Sequence, residues 1–139
     1  MIDVDEALAR VLALAPAPVA EDIDLSDALG RVLLEPAVSR MTQPPFDAAA
    51  MDGYALRGAD LRDGNPSGPL QIVGEAAAGR GWPGQAAPGT AVRIFTGAPV
   101  PPGYDRVVMQ EHVTRDGDAI TVQPGATGPH IRPRGSDFL

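Results

Sequence analysis

Apolar residues recur at helical spacing only near the start of the chain. Val4, Ala7, Leu8, Val11 and Leu12 fall on one face of a helix over residues 3–14. Asp3 can cap its first turn, Glu6 stands at the capping-box position, and Pro16 and Pro18 end it. Residues 21–25 alternate acidic and apolar side chains, which predicts a short edge strand. Ser26 can cap a short helix from Asp27, with Gly30 near its end. Val32, Leu33 and Leu34 form an apolar run expected to be buried. Pro36 breaks helical continuation, Ala37 and Val38 read as extended, and residues 41–45 read as a linker into a second unit.

The period changes after Leu56. Residues 60–69 are a polar, glycine- and proline-rich loop, and residues 70–73 a strand. Residues 74–89 carry many Ala and Gly and read as a long turn region. Residues 90–95 alternate and predict a strand, followed by a turn at 100–103 with Pro and Gly at type II positions. A strand over 105–111, extended by 113–115, folds back through Asp116-Gly117-Asp118 onto a strand at 119–122. The expected fold class is α+β, mostly β. A short helical part over 1–42 precedes a compact antiparallel, barrel-like β domain over 43–139. Phe138 and Leu139 end the chain without a polar tail, so a chain continuing beyond them is expected.

Composition narrows the chemistry. In 139 residues there is no Cys, there are two His, and all 11 basic residues are Arg. Thiolate metal sites, cysteine nucleophiles, Schiff-base lysines and the phosphate-loop lysine are thereby excluded. A net charge of -7 argues against broad nucleic-acid binding. The acidic N-terminus is unlike a signal peptide, and no apolar run is long enough to span a bilayer, so a soluble, cytoplasmic protein with no membrane partner is expected.

Three places carry candidate chemistry. In Met51-Asp52-Gly53-Tyr54 a carboxylate sits on a glycine bend, suited to a metal or polar substrate but equally the look of a hairpin turn. In Thr96-Gly97-Ala98-Pro99 a hydroxyl and a glycine follow a strand end. That is either a plain terminating turn or an oxyanion cradle made by backbone N–H groups. Arg132 and Arg134 alternate, so in an extended segment both face one side and can grip an oxyanion, or they are simply solvated. Asp137 can bind Mg²⁺ beside them or pair with Arg134. Together these residues suggest Mg²⁺-assisted handling of an anion.

Pro44-Pro45-Phe46-Asp47-Ala48-Ala49-Ala50-Met51-Asp52-Gly53-Tyr54-Ala55, then Arg93-Ile94-Phe95-Thr96-Gly97-Ala98-Pro99, Asp105-Arg106-Val107-Val108-Met109-Gln110-Glu111 and Ile131-Arg132-Pro133-Arg134-Gly135-Ser136-Asp137 occur in that order. The series resembles the N-terminal region, domains I and II, of the molybdopterin molybdenumtransferases, the MoeA family, whose animal relative is the gephyrin E domain. The resemblance implies insertion of molybdate into adenylylated molybdopterin with release of AMP, in a Mg²⁺-dependent step of molybdenum cofactor biosynthesis. It also implies homodimers, contacts with other molybdenum cofactor synthesis proteins, and a cleft shared between domain II of one subunit and domains III and IV of the other. Domains III and IV have no counterpart in these 139 residues, so the chain alone is expected to be inactive.

Carried over by residue, Asp52, Thr96 and Asp137 are the implied catalytic positions. Arg132, Gly97 and Arg134 are the substrate-binding ones, and Asp52 and Asp137 the metal ligands. Ala50 stands where the family usually has Ser, His130 where Asn is common, and Ser136 where Glu is usual, which removes a carboxylate beside Asp137. The alternative implied by the same resemblance is a non-catalytic binding or scaffold module, as in gephyrin.

Overall fold

The computed structural model describes residues 2–62, 65–66, 68–126 and 128–139. They divide into two compact units, Met1–Val38 and Ser39–Leu139.

The first unit contains one α-helix, α1 (Val4–Leu12). Its N-cap is the expected Asp3, whose carboxylate accepts the Glu6 N–H at 2.7 Å. The Glu6 side chain turns instead to Arg10, one helical turn on, at 2.6 Å. The expected strand at 21–25 is absent; a single 3₁₀ turn occupies Leu25–Asp27. An edge strand needs a sheet to join, and this unit contains no other described strand. The expected burial of the 32–34 run also fails. Val32, Leu33 and Leu34 are 94%, 73% and 64% exposed, because nothing in the unit packs over them.

The second unit is β. Its strands are β1 (Ala48–Ala49), β2 (Gly53–Leu56), β3 (Leu61–Arg62), β4 (Asn65–Pro66), β5 (Leu70–Ala76), β6 (Thr90–Ile94), β7 (Arg106–Met109), β8 (Val113–Asp116), β9 (Ala119–Val122) and β10 (Ile131–Arg132). Six of them form a half-barrel sheet in the order β7-β2-β6-β5-β9-β8. β1 pairs with β10, and β3 with β4.

Several expectations hold. β6 lies where the alternation placed it, and the β8–β9 hairpin turns at Gly117. The type II turn expected at 100–103 forms one residue further on, over 101–104: Gly103 takes φ +87° at its third position, and the Tyr104 N–H donates to the Pro101 carbonyl at 3.2 Å. Two do not. β5 and β6 are parallel within the otherwise antiparallel sheet, β5 runs on through residues 74–76 of the expected 74–89 turn region, and residues 77–89 are the crossover between the two strands. Residues 113–115 do not extend β7. A 3₁₀ turn at Gln110–His112 redirects the chain, and β7 and β8 lie at opposite edges of the sheet.

β2 is buried on both faces, which explains its unbroken apolar run. Ala55 packs with Val92, Ile94 and Val107 on one side; Tyr54 and Leu56 pack with Ala91, Val108 and Ile120 on the other. The crossover is pinned by the only tryptophan. Trp82 lies half-buried against Tyr104, ring centroids 6.1 Å apart. A Cβ added at Gly74 would stand 2.1 Å from its Nε1, and one at Gly84 2.1 Å from its Cζ2.

The two glycines therefore leave the space that Trp82 fills. Gly84→Ala is expected to destabilise this unit by about 1–3 kcal/mol through overpacking. Urea unfolding followed by Trp82 fluorescence checks this, and an unchanged midpoint would show that the ring is not clamped.

Candidate functional site

Residues 43–52 form a spine that the three sequence motifs share. On one side the 96–100 turn runs along it. Gly97 N–H donates to the Ala49 carbonyl, Ala49 N–H to the Ala98 carbonyl, and Val100 N–H to the Asp47 carbonyl, each at 2.9 Å. On the other side Ala50 N–H donates to the His130 carbonyl at 2.8 Å, and β1 pairs with β10. Further along, Gly135 N–H donates to the Pro44 carbonyl at 2.9 Å and Asp137 N–H to the Gln43 carbonyl at 3.0 Å. Motifs more than thirty residues apart in sequence thus meet on one short segment.

Asp52 lies at the end of this spine. The bend around it is not a hairpin, because β1 and β2 belong to different sheets; it is a corner between them. Nor does Gly53 serve through unusual backbone angles, since its φ is not positive. A Cβ at Gly53 would lie 1.9 Å from the Val108 carbonyl oxygen, so close approach of β7 demands the glycine.

The Asp52 side chain is exposed, and Oδ1 accepts both donors of Thr96, the backbone N–H at 2.8 Å and the hydroxyl at 2.7 Å. The Thr96 N–H first, then its hydroxyl, hold the Asp52 carboxyl below its ordinary value of 3.8. The charge of Arg93 adds to the effect and desolvation opposes it. Among the described residues no group donates to Oδ2, which leaves that oxygen for a ligand.

Of the two readings of the Thr96 turn, the terminating turn holds and the N–H cradle does not form. The N–H groups of Thr96, Gly97 and Ala98 are all spent within the fold, on Asp52, Ala49 and Phe95 respectively. Gly97, at φ +81°, keeps only its open Cα face for a ligand; an added Cβ would meet nothing nearer than Ala78 Cβ at 3.8 Å.

The third motif is arranged differently from the alternating reading. Only Ile131–Arg132 is strand. Residues 133–136 make a β-turn in which Ser136 N–H donates to the Pro133 carbonyl at 3.1 Å, so Arg134 does not follow strand periodicity. Arg132, and not Arg134, pairs with Asp137. One guanidinium nitrogen reaches both carboxylate oxygens, at 2.5 and 2.6 Å. The Arg134 N–H is held by Asp47 Oδ1 at 2.8 Å. His130, which precedes β10, has φ +41° with its ring against Gly128. That left-handed conformation is uncommon outside glycine, and His shares with Asn and Asp a raised tendency to adopt it.

Among the described residues, no hydrogen bond or ion pair joins Asp52 to Arg132, Arg134 or Asp137, and no group of three or more His, Asp or Glu could enclose a metal. Mg²⁺ keeps several waters and needs only one or two protein carboxylates. Asp52 fits as one such ligand through Oδ2. Asp137 does not fit while Arg132 holds both of its oxygens.

Sequence reasoning missed three supporting residues. Asp47 anchors the Arg134 turn, Gln110 N–H donates to the Asp52 carbonyl at 3.1 Å, and Arg93 donates to the Gly53 carbonyl at 3.0 Å. All three lie inside the quoted motifs, which was the available signal.

Thr96→Val removes the hydroxyl and keeps the N–H. The Asp52 pKa is therefore expected to rise toward 3.8 and remain below it. Because the folded pKa is depressed, this contribution to stability is present at neutral pH and is lost as pH falls through the folded value. Titration of the Asp52 carboxyl carbon by NMR in both proteins checks it; an unchanged pKa would remove the hydroxyl from the account.

Comparison with known proteins accords with this arrangement. Residues 2–139 match the family model described as the MoeA N-terminal region (domain I and II). A molybdopterin molybdenumtransferase of Haemophilus influenzae is 39% identical over 144 aligned residues, covering 99% of this chain and 34% of the relative. One from Nostoc is 41% identical over 111, covering 76% and 26%. The crystal structure of the molybdopterin biosynthesis moeA protein from Pyrococcus horikoshii superposes with a TM-score of 0.74 at 41% identity, covering 85% of this chain and 32% of that one. The chain spans about a third of the length of these relatives. It belongs to the MoeA N-terminal region family, comprising domains I and II.

Proposed function

We propose that the protein containing this chain is a cytoplasmic, homodimeric molybdopterin molybdenumtransferase. It inserts molybdate into adenylylated molybdopterin and releases AMP, and this chain supplies one wall of the cleft. The observation that carries the reading is the Asp52–Thr96 pair. An exposed carboxylate has one oxygen fixed by two donors of a single residue and, among the described residues, the other without a donor. That arrangement holds one carboxylate oxygen in a set direction, and the Thr96 donors move the carboxyl's titration further below neutral pH.

In this reading Asp52 orients the reacting end of the substrate, Thr96 holds Asp52, and Arg132 takes an oxyanion of molybdate or phosphate. Gly97 lets the substrate approach the backbone, and Arg134 adds positive charge at the edge of the site. Asp137 acts catalytically through its hold on Arg132, and it becomes a metal ligand only where an anion on Arg132 releases it. Mg²⁺, when bound at Asp52, would polarise the phosphoanhydride. Retention of Asp52, Thr96 and Asp137 together, with Thr96 fixing Asp52, supports the enzyme over the scaffold module.

Asp52→Asn is the sharpest variant, because an amide oxygen can still accept both Thr96 donors while the charge is lost. In the full-length protein it is expected to lower molybdate-dependent AMP release by about 10²–10³-fold. Wild-type release would remove Asp52 from the chemistry. The 139-residue chain alone is expected to release no AMP, and turnover by it would overthrow the shared cleft.

A further inference from the structure

Arg93 lies beside the proposed site and has no role in the reading above. It stands on β6 directly opposite Tyr54 of β2, so the two side chains share a face of the sheet, and Phe95 two residues on points the same way. The guanidinium carbon is 5.2 Å from the Tyr54 ring centroid and 4.6 Å from that of Phe95. Both rings therefore lie within cation–π reach of the guanidinium.

That placement fixes where its donors go. One terminal nitrogen donates to the Gly53 carbonyl at 3.0 Å; the other donates to Gln110 Oε1 at 2.6 Å. Gly53 immediately follows Asp52, and the Gln110 N–H donates to the Asp52 carbonyl at 3.1 Å. Arg93 thus reaches from β6 across β2 to the residue that follows β7. It grips the backbone on the C-terminal side of Asp52 while Thr96, three residues beyond Arg93 on the same chain segment, grips its carboxylate.

We propose that Arg93 is a positioning residue. Its fork across Gly53 and Gln110 sets the orientation of the Asp52 carboxylate, so that Oδ1 stays on Thr96 and Oδ2 is left for a ligand. The proposal rests on the reading that Asp52 meets the substrate, but its geometric part stands without any reaction. Lysine cannot replace it, because an ammonium is a point donor that neither offers a plane to the rings nor spans two acceptors in fixed geometry.

The test uses the 139-residue chain without ligands. In Arg93→Lys, amide exchange at Thr96 is expected to quicken by about tenfold as its acceptor loosens. The amides of Val107 and Gln123, bonded to the Pro129 and His112 carbonyls, are expected to stay within about twofold. The Thr96 amide proton is expected to move upfield. Gln110→Ala leaves Arg93 and its rings in place and is expected to act in the same direction by about threefold, which preserves the test if Arg93→Lys does not fold.

An unchanged Thr96 amide overturns the proposal. So does equal quickening at all three amides, which would mean a general loss of stability. In the full-length protein Arg93→Lys is expected to lower kcat of molybdate-dependent AMP release by about tenfold with KM within about twofold. A wild-type protein that releases no AMP refutes the reaction and leaves the exchange result standing. Normal release with a loosened Thr96 amide refutes the link between Arg93 and catalysis.

Discussion

The Val108 carbonyl oxygen occupies the space that a side chain at residue 53 would need. That one steric fact fixes much of what surrounds it. With glycine there, β7 can lie close against the start of β2, and Gly53 pairs with Met109 on one side and Ile94 on the other. The chain entering β2 must then turn out of the sheet at Asp52, since the corner leads back to β1 in a different sheet. Asp52 is the last residue before the pairing closes. Its carbonyl is taken by one neighbouring strand's continuation and its carboxylate by the other's. A side chain at residue 53 would push β7 away and open both.

The electrostatics follow from that geometry. Asp52 is exposed, so its ionisation is held by nearby donors and not by a low dielectric. Short hydrogen bonds from Thr96 contribute first, and the Arg93 charge adds a smaller lowering through space. Hydrogen bonds of this type are local and resist salt better than a diffuse charge would. The Arg93 guanidinium, within cation–π reach of two rings, has its rotamer freedom already spent, so ordering it costs the bend little.

Local patterns predicted local features well. The Asp3 cap, strand β6, the β8–β9 hairpin and the turn at Gly103 each depend on residues within a few positions of one another. What the pattern could not hold was long-range pairing. Nothing in residues 70–94 distinguishes a parallel crossover from a hairpin until Trp82 is seen between Gly74 and Gly84. Nothing in the 113–115 run tells that Gln110–His112 sends it to the far edge. The candidate site was legible as residue types in order: Asp52 and Thr96 do meet. The arginines were misjudged because Gly135 places Arg134 in a turn, where the two-residue period of a strand has no force. The roles of Asp47, Gln110 and Arg93 required a partner far along the chain and could be read only in three dimensions.

The two carboxylates of the proposed site differ in a way that bears on what each can do. Asp52 gives Oδ1 to Thr96 and, among the described residues, leaves Oδ2 without a donor, so a ligand there adds to an arrangement already set. Asp137 has both oxygens on Arg132, and a ligand for either residue must first compete with the other. That competition is mild. Both side chains are substantially exposed, and such pairs are worth about 0–1 kcal/mol. Asp137 engages only one of the guanidinium nitrogens, so a multiply charged oxyanion could offer Arg132 a two-nitrogen fork with more charge, and Asp137 keeps the guanidinium oriented without closing the position. On the proposed function the two carboxylates would be complementary: the first would orient the reacting end of the substrate, and the second would hold the guanidinium ready until an anion takes its place.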